Sequence, residues 1–128
     1  MIYNFPGKNI MTAFEKETGD SIATFTVNLS RATMNEANEF KKVIDKEIEE
    51  YSNNLVIDLS YCEFIDSTFI GVLVVTLKKL AAMGRELRLV KPVLDMSSIL
   101  EVTDILHIFN VYNTKAEAIE NFRVTALA

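Results

Sequence analysis

The 128-residue sequence has no tryptophan, one cysteine, one histidine, two prolines and four glycines. Each scarcity excludes a class of chemistry. With Cys62 alone, neither an intrachain disulfide nor a cysteine-based zinc site can be built. With His107 alone, multi-histidine metal sites are excluded, and any Ser-His-Asp or Cys-His arrangement has that single imidazole to draw on. Gly7, Gly19, Gly71 and Gly84 are scattered, so there is no glycine-rich loop to cradle a phosphate. The 13 basic residues face 18 acidic ones for a formal charge of -5, and the basic residues never cluster beyond adjacent pairs. A nucleic-acid backbone rewards clustered cations, so direct nucleic-acid binding is not expected. The most apolar stretch, Phe69 to Leu77, falls far short of the ~20 residues of a membrane span and stops at Lys78 and Lys79. No basic segment followed by an apolar core opens the chain, so no secretory signal is read. These features predict a soluble cytoplasmic domain with no membrane insertion.

Apolar residues make up 49% of the sequence, enough for a packed core. A chain of this length buries roughly two-thirds of its unfolded surface and needs no metal or disulfide to stay folded. A single domain over residues 1–128 is expected, with its core at about 10–122. Ala23, Phe25, Val27 and Leu29 alternate with Thr24, Thr26 and Asn28, the period-two pattern of a half-buried strand. A less regular strand precedes it around Ile10 to Lys16, joined through Thr18-Gly19-Asp20, where Gly19 is read as the residue that takes positive φ. Thr33-Met-Asn-Glu36 fits a capping box, opening a helix whose apolar stripe is Met34, Ala37, Phe40, Ile44, Ile48 and Tyr51.

Leu55 to Leu59 reads as an interior strand and Ser60 to Asp66 as a connector. A helix from about Ser67 to Met83 follows, apolar on almost every side until Thr76, which predicts burial; Gly84 stops it. Glu86 to Val90 is a further strand, closed by Pro92. A helix over Leu94 to Thr103, a strand near Ile108 to Val111, and a helix opened by a second capping box at Thr114-Lys-Ala-Glu117 complete the chain. The order β-β-α-β-α-β-α-β-α implies a mixed, mostly parallel sheet of four to five strands with about four helices.

Catalysis lacks parts. Asp58 and Asp66 suggest the phospho-acceptor of a receiver domain, but the first strand offers no acidic pair to hold magnesium, and the chain opens β-β rather than β-α. Asp58 is expected to bond backbone near its strand end. Cys62 reads as a small buried hydrophobe and His107 as a packed or surface residue. No catalytic residue, metal or cofactor is assigned. What remains is Phe64-Ile-Asp-Ser-Thr-Phe-Ile-Gly71, where Asp66, Ser67 and Thr68 stand at the start of the apolar helix. Their side chains suit helix capping, and a hydroxyl exposed there also suits phosphorylation, since free amides and the helix dipole tolerate the charge.

Leu55-Val-Ile-Asp-Leu-Ser60, Phe64-Ile-Asp-Ser67, Gly71-Val-Leu73 and Leu77-Lys-Lys-Leu80 up to Gly84 resemble the central motif of STAS domains, above all the bacterial anti-sigma factor antagonists. Ile99 to Thr103, Leu106 to Phe109, Tyr112 to Thr114 and Ala118 are similar to that family's closing helix-strand-helix. The resemblance implies an anti-sigma factor antagonist rather than an enzyme. Ser67 would be phosphorylated by an anti-sigma factor that is also a serine kinase. The unmodified form would dock this partner and free a sigma factor, and a PP2C-type phosphatase would reverse the mark. Asp66, Ser67, Thr68, Phe69, Ile70 and Ser30 are the implied partner-binding residues. Phe69 stands where the family commonly has glycine and is expected to add apolar surface; Ser30 replaces a common aspartate, and Asp104 a common glycine. The alternative is a STAS scaffold subunit, never phosphorylated, in a larger signalling or membrane-transport assembly.

Overall fold

Two antiparallel strands, β1 (Phe14–Gly19) and β2 (Ile22–Val27), begin the computed structural model, which describes residues 12–92 and 107–127. Their turn is tighter than the sequence suggested. Gly19 is still in the strand, paired with Ile22, and the positive φ angles fall on Asp20 (55°) and Ser21 (63°). Two left-handed residues in a two-residue loop match the right-handed twist of the flanking strands, and aspartate tolerates that conformation better than most residues.

β2 then pairs in parallel with β4 (Asn54–Asp58), β4 with β6 (Leu87–Val90), and β6 with β7 (Asn110–Tyr112). The five-stranded order is β1-β2-β4-β6-β7. A two-residue strand β3 (Arg31–Ala32) pairs with β5 (Phe64–Ile65) in a separate parallel ladder that the sequence pattern did not reveal. Two residues are too few for a hydrophobic period to register.

α1 (Met34–Glu50) and α2 (Ser67–Ala82) cover one face of the sheet, and α3 (Lys115–Leu127) lies on the other. The helix expected over Leu94 to Thr103 lies outside the described residues. Because both faces are covered, β2 is buried along its whole length, including Thr24 and Thr26, rather than half-buried as the alternation implied. Ala23, Phe25, Leu55, Ile57, Leu87 and Leu89 face α1 and α2, while Ile22, Val56 and Val90 meet Ala118 and Phe122.

The capping box at Thr33 is present, with the Thr33 N–H donating to Glu36 Oε1 at 3.0 Å. At the last helix Thr114 Oγ1 accepts from the Glu117 N–H, but the Glu117 carboxylate reaches one residue further back, to the Asn113 N–H. Gly84 takes φ 72°, and the Gly84 and Arg85 amides donate to the carbonyls of Ala81 and Leu80, a Schellman closure of α2.

The α1 stripe is buried at Ala37, Phe40, Ile44 and Ile48 but not at its ends, where Met34 and Tyr51 are exposed. Glu47 is buried among them and paired with Lys16 and with the Asn53 side-chain amide. Phe40 is fully buried and stacks on Phe69 at 4.6 Å and against Phe14 at 5.0 Å. Three rings at these separations combine large apolar burial with a favourable ring geometry. Phe69→Ala is expected to lower the unfolding free energy by about 3–5 kcal/mol, read as a shifted urea midpoint. A loss under about 1 kcal/mol would mean that the triad does not hold α1 and α2 to the sheet.

Candidate functional site

Asp66 is the N-cap of α2, and its two oxygens serve two helices. Oδ1 accepts from the Phe69 N–H at 2.9 Å, and Oδ2 accepts from the Met34 N–H at 2.8 Å. Each helix start leaves amides without intrahelical partners and carries a positive end of the dipole. One carboxylate therefore stabilises both α1 and α2 at the same point. The Asp66 N–H donates to the Ala32 carbonyl, so the β3–β5 ladder fixes the approach of the loop.

The far ends of the helices are tied as well. Arg85, just after α2, donates to the carbonyls of Ile48 (3.1 Å) and Tyr51 (2.7 Å) at the end of α1. α1 has no basic residue in its own last turn, and Arg85 supplies the cation from outside. The two helices thus run parallel, with their N-termini side by side.

Ser67 and Thr68 follow Asp66 at the first two helical positions, and both are exposed. Ser30 is exposed too, and its carbonyl accepts from the Glu63 and Phe64 amides at 2.7 and 3.1 Å, which ties its backbone to the loop leading to Ser67. Phe69 and Ile70 were expected to offer apolar surface to a partner, and this is corrected: they are 0% and 2% exposed. The N-cap at Asp66 sets the helical phase, so Phe69, Leu73 and Leu80 turn inward along one stripe. That three- and four-residue spacing was available in the sequence, but the near-uniform apolarity of the helix hid it.

The burial expected for α2 is also only partly realised, because Val75 is 47% exposed and Gly71 lies open. Beside them Asp45 on α1 binds Lys41 at 2.6 Å and Lys79 of α2 at 2.8 Å. Burial pushes the Asp45 carboxyl up, but the hydrogen bonds and charges of the two lysines outweigh it and hold the group below the usual carboxylate range.

Two of the three candidate catalytic groups have structural roles. Asp58 is buried and its Oδ1 accepts from the Ser60 N–H at 2.9 Å, the backbone role expected of it. Cys62 is buried, and burial together with the neighbouring Asp58 charge pushes its thiol up to about 12. His107 is exposed in the turn before β7. Among the described residues, no helix is long and apolar enough to cross a membrane.

The model of the STAS domain family matches residues 13–118. The chain is a STAS domain. A curated relative from Thermotoga neapolitana, named as an anti-sigma factor antagonist homologue, is 35% identical over 85 residues, covering 66% of this chain and 75% of its own. The crystal structure of an anti-sigma factor antagonist from Thermotoga maritima superposes with a TM-score of 0.75 at 29% identity, covering 86% of this chain and 94% of that one. The phosphorylated form of the Bacillus cell-fate determinant SpoIIAA shares the fold, with a TM-score of 0.65 at 16% identity over 86% of this chain and 99% of its own. This STAS domain therefore stands within the anti-sigma factor antagonist family.

Replacing Asp66 tests the shared cap. Asp66→Ala is expected to destabilise the domain by about 2 kcal/mol, since it strips the capping acceptor from two helix starts at once. Asp66→Asn keeps one carbonyl oxygen, so it should fall between Asp66→Ala and wild type, with faster amide exchange at Met34. Equal stability of all three proteins would contradict a shared cap. For Cys62, reactivity follows the thiolate, and the thiol stays protonated until pH nears 12. Native protein at pH 8 should therefore resist an aromatic disulfide reagent and react only after denaturant is added; rapid labelling of the folded protein would count against this.

Proposed function

We propose that this STAS domain is a phosphorylation-controlled binding protein. With Ser67 unmodified, the face around α2's N-terminus docks an anti-sigma factor serine kinase and so frees a sigma factor. Phosphorylation of Ser67 by that partner ends the docking, and a PP2C-type phosphatase restores it. The observation that carries the reading is the exposed Ser67 hydroxyl at the first turn of α2, beside a carboxylate already engaged by two helix termini. The names of its relatives, as anti-sigma factor antagonists, support the same reading.

The physics favours docking rather than fold as the property controlled. Phosphate adds about -1.5 to -2 charges at neutral pH. The helix start tolerates them, so the domain should stay folded. Across a docked surface the same charges must lose water without a partner, and juxtaposed like charges can cost several kcal/mol. Each ~1.4 kcal/mol is tenfold in affinity, so a partial penalty already makes a switch. In this reading Ser30, whose carbonyl accepts from the loop leading to Ser67, and exposed Thr68 belong to the dock, whereas buried Phe69 and Ile70 serve by holding α2 in position.

Phe69 and Ser30, as departures from the family pattern, are the sequence features that would favour the scaffold alternative. Phe69 in the aromatic triad no longer argues for it. The test is binding of the anti-sigma serine kinase from the same genome by wild type, Ser67→Ala and Ser67→Asp. Wild type and Ser67→Ala should bind alike, and Ser67→Asp should bind about tenfold or more weakly. Equal binding by Ser67→Asp and Ser67→Ala would sink the switch. Incubation with kinase and ATP should add one phosphate at Ser67 by mass spectrometry, and a scaffold would gain none.

A further inference from the structure

Among the described residues, nothing requires glycine at position 71. It sits inside α2 with φ outside the positive range, and a Cβ built there would meet nothing within 4 Å. Glycine in a helix interior is disfavoured against alanine because it loses more backbone freedom on folding. Among the described residues, neither a left-handed turn nor a close neighbour compensates. What the missing side chain provides is access to the helix backbone from outside, one turn beyond Ser67 on the same side of α2.

That access opens onto a groove of about 180 Å³ between α1 and α2, lined by Thr68, Gly71, Val72 and Val75 from α2 and by Lys41 and Asp45 from α1. Val75 is a large apolar side chain nearly half in solvent. The charge around the groove runs against that of the whole chain. α2 holds no carboxylate, although the chain has 18 acidic residues. Lys41 and Lys79 share the single carboxylate of Asp45, and exposed Lys78 adds a further cation one turn beyond Val75. The backbones of both helices are satisfied internally, so no strand can add here and recognition falls to side chains. An apolar trough between helices with cations along its rim fits an amphipathic helix whose polar side is acidic.

We propose that the groove from Thr68 to Thr76, with Lys78 and Lys79 just beyond its far end, receives an acidic amphipathic helix of the anti-sigma partner, packed against the bare backbone at Gly71. This rests on the docking role given above to the Ser67 face, and it extends that face about 16 Å along α2. It also strengthens the switch. An acidic segment crossing Ser67 is itself repelled by a phosphate placed there.

The test titrates the full-length chain with the same recombinant anti-sigma serine kinase at low and at high salt, following anisotropy of the labelled chain. Gly71→Gln adds a side chain of good helix propensity to the groove. It should keep or raise the thermal midpoint while weakening binding by about fivefold or more. A smaller loss overturns the groove. Lys78→Glu should weaken binding more at low salt than at high salt, because exposed charges are screened beyond ~10 Å at 0.1 M. A loss independent of salt overturns the acidic helix as occupant. Ser67→Asp in the same titration reports the switch separately. If it binds like wild type while Gly71→Gln does not, the switch fails and the groove stands; the opposite pattern removes the groove alone.

Discussion

A single carboxylate shared between two helix termini organises the end of this domain that carries the candidate site. Asp66 accepts from Phe69 in its own helix and from Met34 in another, so the starts of α1 and α2 are fixed relative to each other within hydrogen-bond tolerance. Like dipole ends placed together repel, and the anion between them offsets that repulsion. Arg85 performs the complementary task at the opposite ends, where carbonyls need donors and a cation. The loop before α2 and the residue after it thus clamp α1 from both directions. Ser67, adjacent to the anionic joint, is presented at a fixed place on a rigid platform and not on a mobile loop.

The aromatic triad sets the depth of that platform. Phe69 stacks on Phe40 of α1 and lies against Phe14 of β1, so three elements meet beneath the exposed first turn of α2. Chemistry on the surface and packing underneath are separated by one peptide: Ser67 and Thr68 face solvent, Phe69 and Ile70 the core. A modification at Ser67 can change surface charge while leaving the packed layer intact.

How much of this the sequence disclosed depended on how local each interaction was. The Thr33–Glu36 capping box and the left-handed Gly84 rest on neighbours three or fewer residues away, and both could be read directly. Asp66 was legible only as one of three candidate caps of its own helix, beside Ser67 and Thr68. Its bond to Met34, 32 residues distant, left no local trace, nor did the reach of Arg85 across 34 residues to Tyr51. Phe69 was misplaced because an almost wholly apolar helix gives weak contrast between its sides, and only the phase set by the N-cap shows which side turns inward. β2 misled for the opposite reason: its clean alternation with threonine looked half-exposed, but α3 covers the threonine side. The family's Asp-Ser motif marked the candidate site, and tertiary contacts decided which of its residues are surface.

The rim of the sheet bears on how such a protein behaves in a crowded cell. β1, the outer strand, exposes Glu15, Lys16, Glu17 and Thr18, and β7, at the other border, is three residues long. Charged side chains and brevity both discourage a foreign strand from annealing to an open border. A sheet so guarded along its margins gives a stray strand little to anneal to, so accidental edge-to-edge association is discouraged.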